Sequence, residues 1–128
     1  MLSFDAPEAQ RVYEHIQSLS PALIALEESD FARHTGANSY AATVKLPVAE
    51  PAGLAGLAVE QAMGGRSTAE LRFATAMVYG DSEALSMLVV NEVMTSLQDA
   101  LPEQVGICFG VHLSEDLPGE IGLDLLLS

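Results

Sequence analysis

Hydrophobic and polar residues alternate in the second half of the chain in a way that predicts a strand, a long helix and two more strands. Residues 70–79 alternate strictly, as expected of a strand whose two faces meet different surroundings. Residues 83–101 instead repeat apolar side chains every three or four positions, which predicts an amphipathic helix. Asp81 or Ser82 is suited to cap the start of this helix, and Pro102 ends it.

The last two predicted strands cover residues 105–113 and 121–127. The first of them has one apolar face, and its other face carries Gly106, Cys108, Gly110 and His112. Another segment is therefore expected to pack closely against this small face. A strand–helix–strand step is parallel and right-handed by default. The short acidic turn over residues 114–120 then predicts an antiparallel hairpin between the last two strands.

The first half of the chain predicts a helix, a strand and a second helix. Residues 6–31 place apolar side chains at helical spacing, with Pro21 inside the run, so a kink or a division into two helices is expected near Ser20. Residues 40–48 alternate as a strand, and the prolines at its end suggest a sheet edge. Residues 52–63 predict a helix rich in small residues that two glycines terminate.

Together these elements predict an α/β (α+β) two-layer sandwich with a mixed four-stranded sheet. The order is helix, strand, helix, strand, helix, strand, strand, and helical crossovers join the first three strands. No internal repeat or domain boundary is visible, and 128 residues are enough to bury a core. We therefore interpret residues 1–128 as a single domain.

The excess of acidic residues disfavours two classes of binding partner. The chain has 18 acidic and 5 basic residues and a formal net charge of -13, which disfavours nucleic acid and anionic membrane surfaces. Its single cysteine, Cys108, excludes an internal disulfide and a multi-cysteine metal site, so no metal is expected. The sequence shows no basic-then-apolar signal pattern and no apolar run near the about 20 residues of a membrane span. A cytoplasmic location is therefore expected.

Three segments resemble the C-terminal domain of the tubulin/FtsZ superfamily, whose order of elements is also similar over nearly the whole chain. Residues 56–65 read GLAVEQAMGG, like the alanine-rich helix after that domain's first strand. Residues 82–101 include Val-Asn-Glu, as the next helix of FtsZ does. Residues 107–127 resemble its Phe-Gly strand, its acidic turn with Gly-Glu-Ile and its terminal strand. The glycine-rich phosphate loop of the family is missing, so this chain is not expected to bind or hydrolyse GTP by itself, and no cofactor is expected.

The resemblance implies one pair of candidate site residues, Asp5 and Glu8. In FtsZ, acidic residues three apart at the start of the domain's first helix complete the GTPase site of the next subunit, where they position the attacking water. Asp5 and Glu8 have this spacing, but Ser3 stands where the family has asparagine, and Pro7 intrudes. A capping box with proline in the first turn uses the same residue types at the same spacing. Capping is therefore the alternative interpretation.

Histidine residues supply the other candidate sites. His112 lies close in sequence to Glu115 and Asp116 and could serve as a general base or metal ligand. The alternative is a hydrogen-bonded histidine at a strand end. His34 could help to form a polar or anion-binding pocket, and otherwise belongs to a solvated loop. His15 is expected to be exposed on its helix.

Two functions from different classes follow. The resemblance implies a non-enzymatic interaction or regulatory protein that modulates or caps a cytoskeletal polymer, with an FtsZ-like polymer or itself as the protein partner. The alternative is a small oligomeric enzyme or ligand-binding protein with its site at a subunit interface, using His112, Glu115, Asp116 and the loop around His34. A homo-oligomer is expected. A structural subunit of a larger complex is a third possibility, which the sequence does not separate from the first.

Overall fold

A computed structural model of the protein describes residues 2–19, 22–36 and 38–128. The helices are α1 (Pro7–Ser18), α2 (Glu28–Ala32), α3 (Pro51–Met63) and α4 (Met87–Ala100). The strands are β1 (Tyr40–Pro47), β2 (Phe73–Gly80), β3 (Gly106–Leu113) and β4 (Glu120–Leu127). The α/β class and the mixed four-stranded sheet are therefore confirmed.

The strand order is β1-β4-β2-β3, and it corrects one prediction. β2 and β3 are parallel, whereas β4 is antiparallel to both of its neighbours, β1 and β2. The predicted hairpin between β3 and β4 is wrong, because the connection between them crosses the end of β2. Every residue of β4 from Ile121 to Leu127 is buried, whereas most of β3 is only partly buried. A strand that is apolar on both faces is best buried at the centre of a sheet.

Helices pack on both faces of the sheet. α3 and α4 cover one face, where they enclose Leu123 and Leu125 of β4, as in a two-layer sandwich. α1 and Phe31 of α2 cover part of the other face, over Met77 and Leu126. None of the helices in the described ranges has the length and hydrophobicity needed to cross a membrane.

Residues 6–31 form two helices, one of the two outcomes predicted for this run. α1 ends at Ser18 and α2 begins at Glu28. The break is predicted near Ser20 and Pro21, and both residues lie outside the described ranges. The described residues between the helices are not helical, because part of their backbone pairs with β3 instead.

This pairing covers part of the outer edge of β3. Ile24 and Val111 exchange backbone hydrogen bonds of 3.0 and 2.9 Å. Gly110 allows the close approach, because a Cβ added there would lie 2.7 Å from the carbonyl oxygen of Ile24. The prediction of close packing against the small face of this strand is confirmed.

The start of α1 is not a capping box. Its N-cap residue is Ala6, with no side-chain capping hydrogen bond, and proline occupies the first turn as predicted. The Glu8 carboxylate forms an ion pair with Arg11, one turn further along the helix. The capping interpretation of Asp5 and Glu8 is therefore wrong.

The start of α4 also lies later than predicted. Ser86 is its N-cap, and the Ser86 hydroxyl accepts a hydrogen bond of 3.2 Å from the backbone N–H of Val89. Asp81 instead accepts from the backbone N–H of Ala84 at 2.6 Å. It therefore closes the turn after β2, and Ser82 lies four residues before the N-cap of α4.

Candidate functional site

A buried carboxylate lies beneath α1, on the face of the sheet opposite α3 and α4. Asp124 sits in the middle of β4 and is fully buried. Its Oδ1 accepts a hydrogen bond of 2.9 Å from the hydroxyl of Tyr79, and its Oδ2 contacts Nδ1 of His15. Thr43 also hydrogen-bonds to this carboxylate. Three partners able to donate surround the carboxylate, which accepts hydrogen bonds when it is ionised.

The electrostatics of this cluster follow from its burial. Burial raises the pKa of Asp124, and the hydrogen bond and charge of His15 partly oppose that rise. Burial, followed by the charge of Asp124, raises the pKa of Tyr79 far above its ordinary range. Tyr79 is therefore a neutral hydrogen-bond donor at physiological pH. The contact between His15 and Asp124 is an ion pair whenever the imidazole is protonated.

Gly122 makes room for the tyrosine of this cluster. Gly122 of β4 is the register partner of Tyr79 on β2, and a Cβ added to Gly122 would lie 2.3 Å from the tyrosine ring. The ring therefore lies directly over the glycine, and its hydroxyl reaches Asp124. His15 stands edge-on against the same ring, with the centroids 5.5 Å apart.

An open cavity of about 430 Å³ lies beside the cluster, along α1 and the outer edge of β1. His15 lines it with 39% of its side chain exposed, together with Arg11, Lys45 and Glu8. Nδ1 of His15 faces a fully buried carboxylate, which leaves Nε2 as the ring nitrogen available to a ligand. A histidine held in this way has a fixed orientation and can bind a ligand or transfer a proton through Nε2.

Sequence patterns did not reveal this site. His15 is expected to be exposed on a helix, and the structure instead places its Nδ1 against a buried charge. One signal was present, because Asp124 is the single charged residue in the apolar run from Ile121 to Leu127. A carboxylate at a fully buried strand position requires a partner. The pattern does not say which residue supplies it.

Asp5 and Glu8 are both exposed near the start of α1. Glu8 lines the cavity beside His15. Nothing in the fold tests whether the pair acts on a neighbouring subunit, so that role stays a prediction.

His112 lies half-buried near the end of β3 and lines a separate cavity of about 390 Å³ with Leu23 and Leu113. Glu115 and Asp116 are exposed in the turn that follows. Within the described residues, no three His, Cys, Asp or Glu side chains lie close enough to hold a metal ion.

His34 is fully buried, so the solvated-loop interpretation is wrong. Its Nε2 lies 2.9 Å from the hydroxyl of Thr75, and its Nδ1 lies 2.8 Å from the hydroxyl of Ser128. Thr75 donates its own hydrogen to the Asp30 carbonyl at 2.8 Å, so Nε2 of the neutral ring is the donor. Burial, with a smaller contribution from Arg33, lowers the pKa of His34 to about 4. His34 therefore links its loop to β2 through Thr75 and to the C-terminal residue Ser128. This contact lies near the start of β2, whereas His112 lies beside the end of β2.

Replacing Tyr79 with phenylalanine tests the buried cluster. We expect the free energy of unfolding to fall by about 2 kcal/mol, because an ionised buried oxygen loses its donor while the ring packing is kept. Urea unfolding measures the change. The matched control is Tyr40→Phe on the half-exposed Tyr40 of β1, for which a change within about 0.5 kcal/mol is expected. Equal losses in the two variants would contradict the assigned role of Tyr79.

Solved structures show what this chain is similar to. A mutant FtsZ from M. jannaschii matches 85% of this chain and 33% of its own length, with a TM-score of 0.70 and 16% identity. CetZ2 from Haloferax volcanii, in a GTPγS-bound protofilament, matches 92% of this chain and 37% of its own, with a TM-score of 0.69 and 11% identity. An empty FtsZ dimer from M. jannaschii matches 84% of this chain and 32% of its own length, with a TM-score of 0.62 and 18% identity.

No protein-family model matches the sequence, and no curated protein matches it significantly. The chain spans about a third of the length of the solved chains it matches. At these identities the likeness is one of fold. The resemblance found in the sequence is confirmed at that level, and the chain has the fold of the C-terminal domain of the tubulin/FtsZ superfamily.

Proposed function

We propose that this protein binds a subunit of a tubulin-family polymer and thereby modulates or caps the filament. The observation that carries the proposal is the fold. The similar chains include an FtsZ dimer and a CetZ2 protofilament, so proteins that contain this fold assemble with one another. The described residues form one such domain. A polymer-contacting domain of this kind can bind a filament end and occupy the contact site of the next subunit.

One end of the domain has exposed apolar side chains suited to such a contact. Met87 and Leu88, at the start of α4, are 66% and 78% exposed, and Leu113, at the end of β3, is 39% exposed. Leu113 is in register with Gly80, the last residue of β2, and α4 begins seven residues after Gly80. We call Met87, Leu88 and Leu113 the apolar end. We propose that these exposed apolar side chains take part in the contact with the polymer.

The acidic pair is the second part of the proposed contact. Asp5 and Glu8 are exposed near the start of α1, and Glu8 lines the cavity along β1. We propose that these exposed carboxylates reach the neighbouring subunit of the polymer and act on its GTPase site.

A filament-pelleting assay with a polymerising FtsZ and GTP tests this function. We expect the wild-type protein to co-pellet, to shorten filaments as its concentration rises, and to change GTP turnover. Leu88→Asp should weaken co-pelleting by at least about tenfold, because an exposed contact residue becomes charged. Thr95→Asp, which adds the same charge at an exposed position later in α4, is the matched control and should bind normally.

The acidic pair is tested in the same assay. Asp5→Ala with Glu8→Ala should keep co-pelleting and lose the effect on GTP turnover. Filaments whose length, pelleted protein and GTP turnover are all unaltered by an excess of wild-type protein would exclude the proposed function.

A further inference from the structure

The basic residues of this chain are few, yet two of them meet a histidine at one cavity. The chain has five Lys and Arg residues against 18 Asp and Glu. Arg11 and Lys45 nevertheless line the same cavity of about 430 Å³ as His15. Glu8 lines the cavity as well and forms an ion pair with Arg11. The cavity still differs from the chain as a whole, in which acidic residues far outnumber basic ones.

Arg11 and Lys45 have hydrogen-bond donors to offer, and His15 has one at Nε2 when both of its ring nitrogens carry a proton. His15 uses Nδ1 for Asp124, and its Nε2 has no hydrogen-bond partner in the described part of the chain. Lys45 is exposed and forms no ion pair with the described carboxylates. Arg11 meets Glu8 through Nη2, which leaves other guanidinium N–H groups for a ligand.

The buried carboxylate fixes the position of the histidine ring. Asp124 is fully buried, and its Oδ2 contacts Nδ1 of His15. When His15 is protonated, three positive groups stand against the negative charges of Glu8 and Asp124. One positive charge remains in the cavity, which matches a single small anion.

The overall charge of the protein limits the size of that anion. A net charge of -13 repels polyanions such as nucleic acid, whereas a small anion can be held by local contacts. The cavity volume is in the range of small-molecule sites. Ammonium, guanidinium and imidazolium groups together are the usual partners of carboxylate and phosphate oxygens.

We propose that the cavity beside α1 and β1 binds a small oxyanion, the carboxylate or phosphate group of a small molecule, between His15, Lys45 and Arg11. In this arrangement Nε2–H of His15 donates to one ligand oxygen. Lys45 and Arg11 bind the others. Asp124 is a positioning residue that orients His15 and does not touch the ligand. This site does not depend on the polymer contact.

NMR titration of the folded protein with inorganic phosphate, and separately with acetate, tests the site. At constant pH and sodium chloride concentration, the His15 ring signals should shift in a saturable way with at least one anion. Lys45→Gln should weaken that affinity by about tenfold, the effect of losing one charge-assisted hydrogen bond. Arg66→Gln, at an exposed arginine that lies against Tyr40 and outside the cavity lining, is the matched control and should bind as the wild type does.

The two probes also separate the two ligand classes. If only phosphate gives a saturable shift, the natural ligand carries a phosphate group. If only acetate does so, it carries a carboxylate. If both do so, the cavity is a general oxyanion site. The absence of a saturable shift with either anion would overturn the proposal. Equal weakening in Lys45→Gln and Arg66→Gln would do so too, because it would indicate general charge screening. Arg11→Gln serves as a second variant if Lys45→Gln does not fold.

Discussion

Replacing Gly122 with alanine is expected to lower the free energy of unfolding by about 4 kcal/mol. The added methyl would lie 2.3 Å from the Tyr79 ring, so the ring must move, and overpacking of a core costs about 1–3 kcal/mol. Moving the ring also breaks the 2.9 Å hydrogen bond to Asp124. The loss of a bond to a buried charge adds about 1.5–3 kcal/mol. Chemical denaturation at neutral pH measures the total.

Gly56→Ala is the matched control for this substitution. Gly56 is exposed within α3, and no atom lies within 4 Å of a Cβ added there. Alanine at that position should stabilise the helix by up to about 1 kcal/mol. Adding Tyr79→Leu to Gly122→Ala should recover part of the loss, because the clash is removed. A Gly122→Ala protein as stable as the wild type would show that the ring does not lie over this glycine.

Acid is expected to destabilise the protein through His34. Folding lowers the pKa of this imidazole from 6.5 to about 4, so the folded state favours the neutral ring. The stabilising contribution is fully present above pH 6.5 and is lost as the pH falls from 6.5 through 4. The difference between the two pKa values corresponds to about 3 kcal/mol.

His34→Gln isolates this contribution from the titration of the carboxylates. The free energy of unfolding should be measured between pH 7 and pH 4 for the wild type and the variant. Between pH 7 and pH 4, the free energy of unfolding should fall by about 3 kcal/mol less in the variant than in the wild type. This difference does not depend on the stability of the variant at pH 7. Ser128→Ala removes the hydroxyl partner of Nδ1 and keeps the ring, so its pH profile should follow the wild type. Parallel profiles for the wild type and His34→Gln would contradict the buried neutral histidine.

The substitutions at Gly122 and His34 test contacts at opposite ends of β2. Tyr79 lies near its end and His34 contacts Thr75 near its start. In both places a polar group is buried and its partner comes from a distant part of the chain. His15 and Asp124 are 109 residues apart, and His34 and Ser128 are 94 residues apart. Local sequence patterns carry no information on such pairs.

Local patterns were informative wherever neighbours along the chain decide the structure. The strand predicted over residues 105–113 is observed at Gly106–Leu113, and the helix predicted over residues 52–63 is observed at Pro51–Met63. Period-two and helical repeats report which face of a segment is buried, and turn residues report where it stops. The helix prediction over residues 6–31 was wrong in its middle, because Ile24 finds its partner in β3.

The sequence by itself therefore determined the elements, their order, the acidic charge and the resemblance to the C-terminal domain of FtsZ. Only the tertiary structure decided that β4 lies between β1 and β2, since strand pairing depends on burial over both faces of the whole sheet. That placement brings Asp124 under α1, beside His15 and Tyr79. The candidate site exists because the most apolar strand is central, and the burial of its one carboxylate demands partners from distant elements.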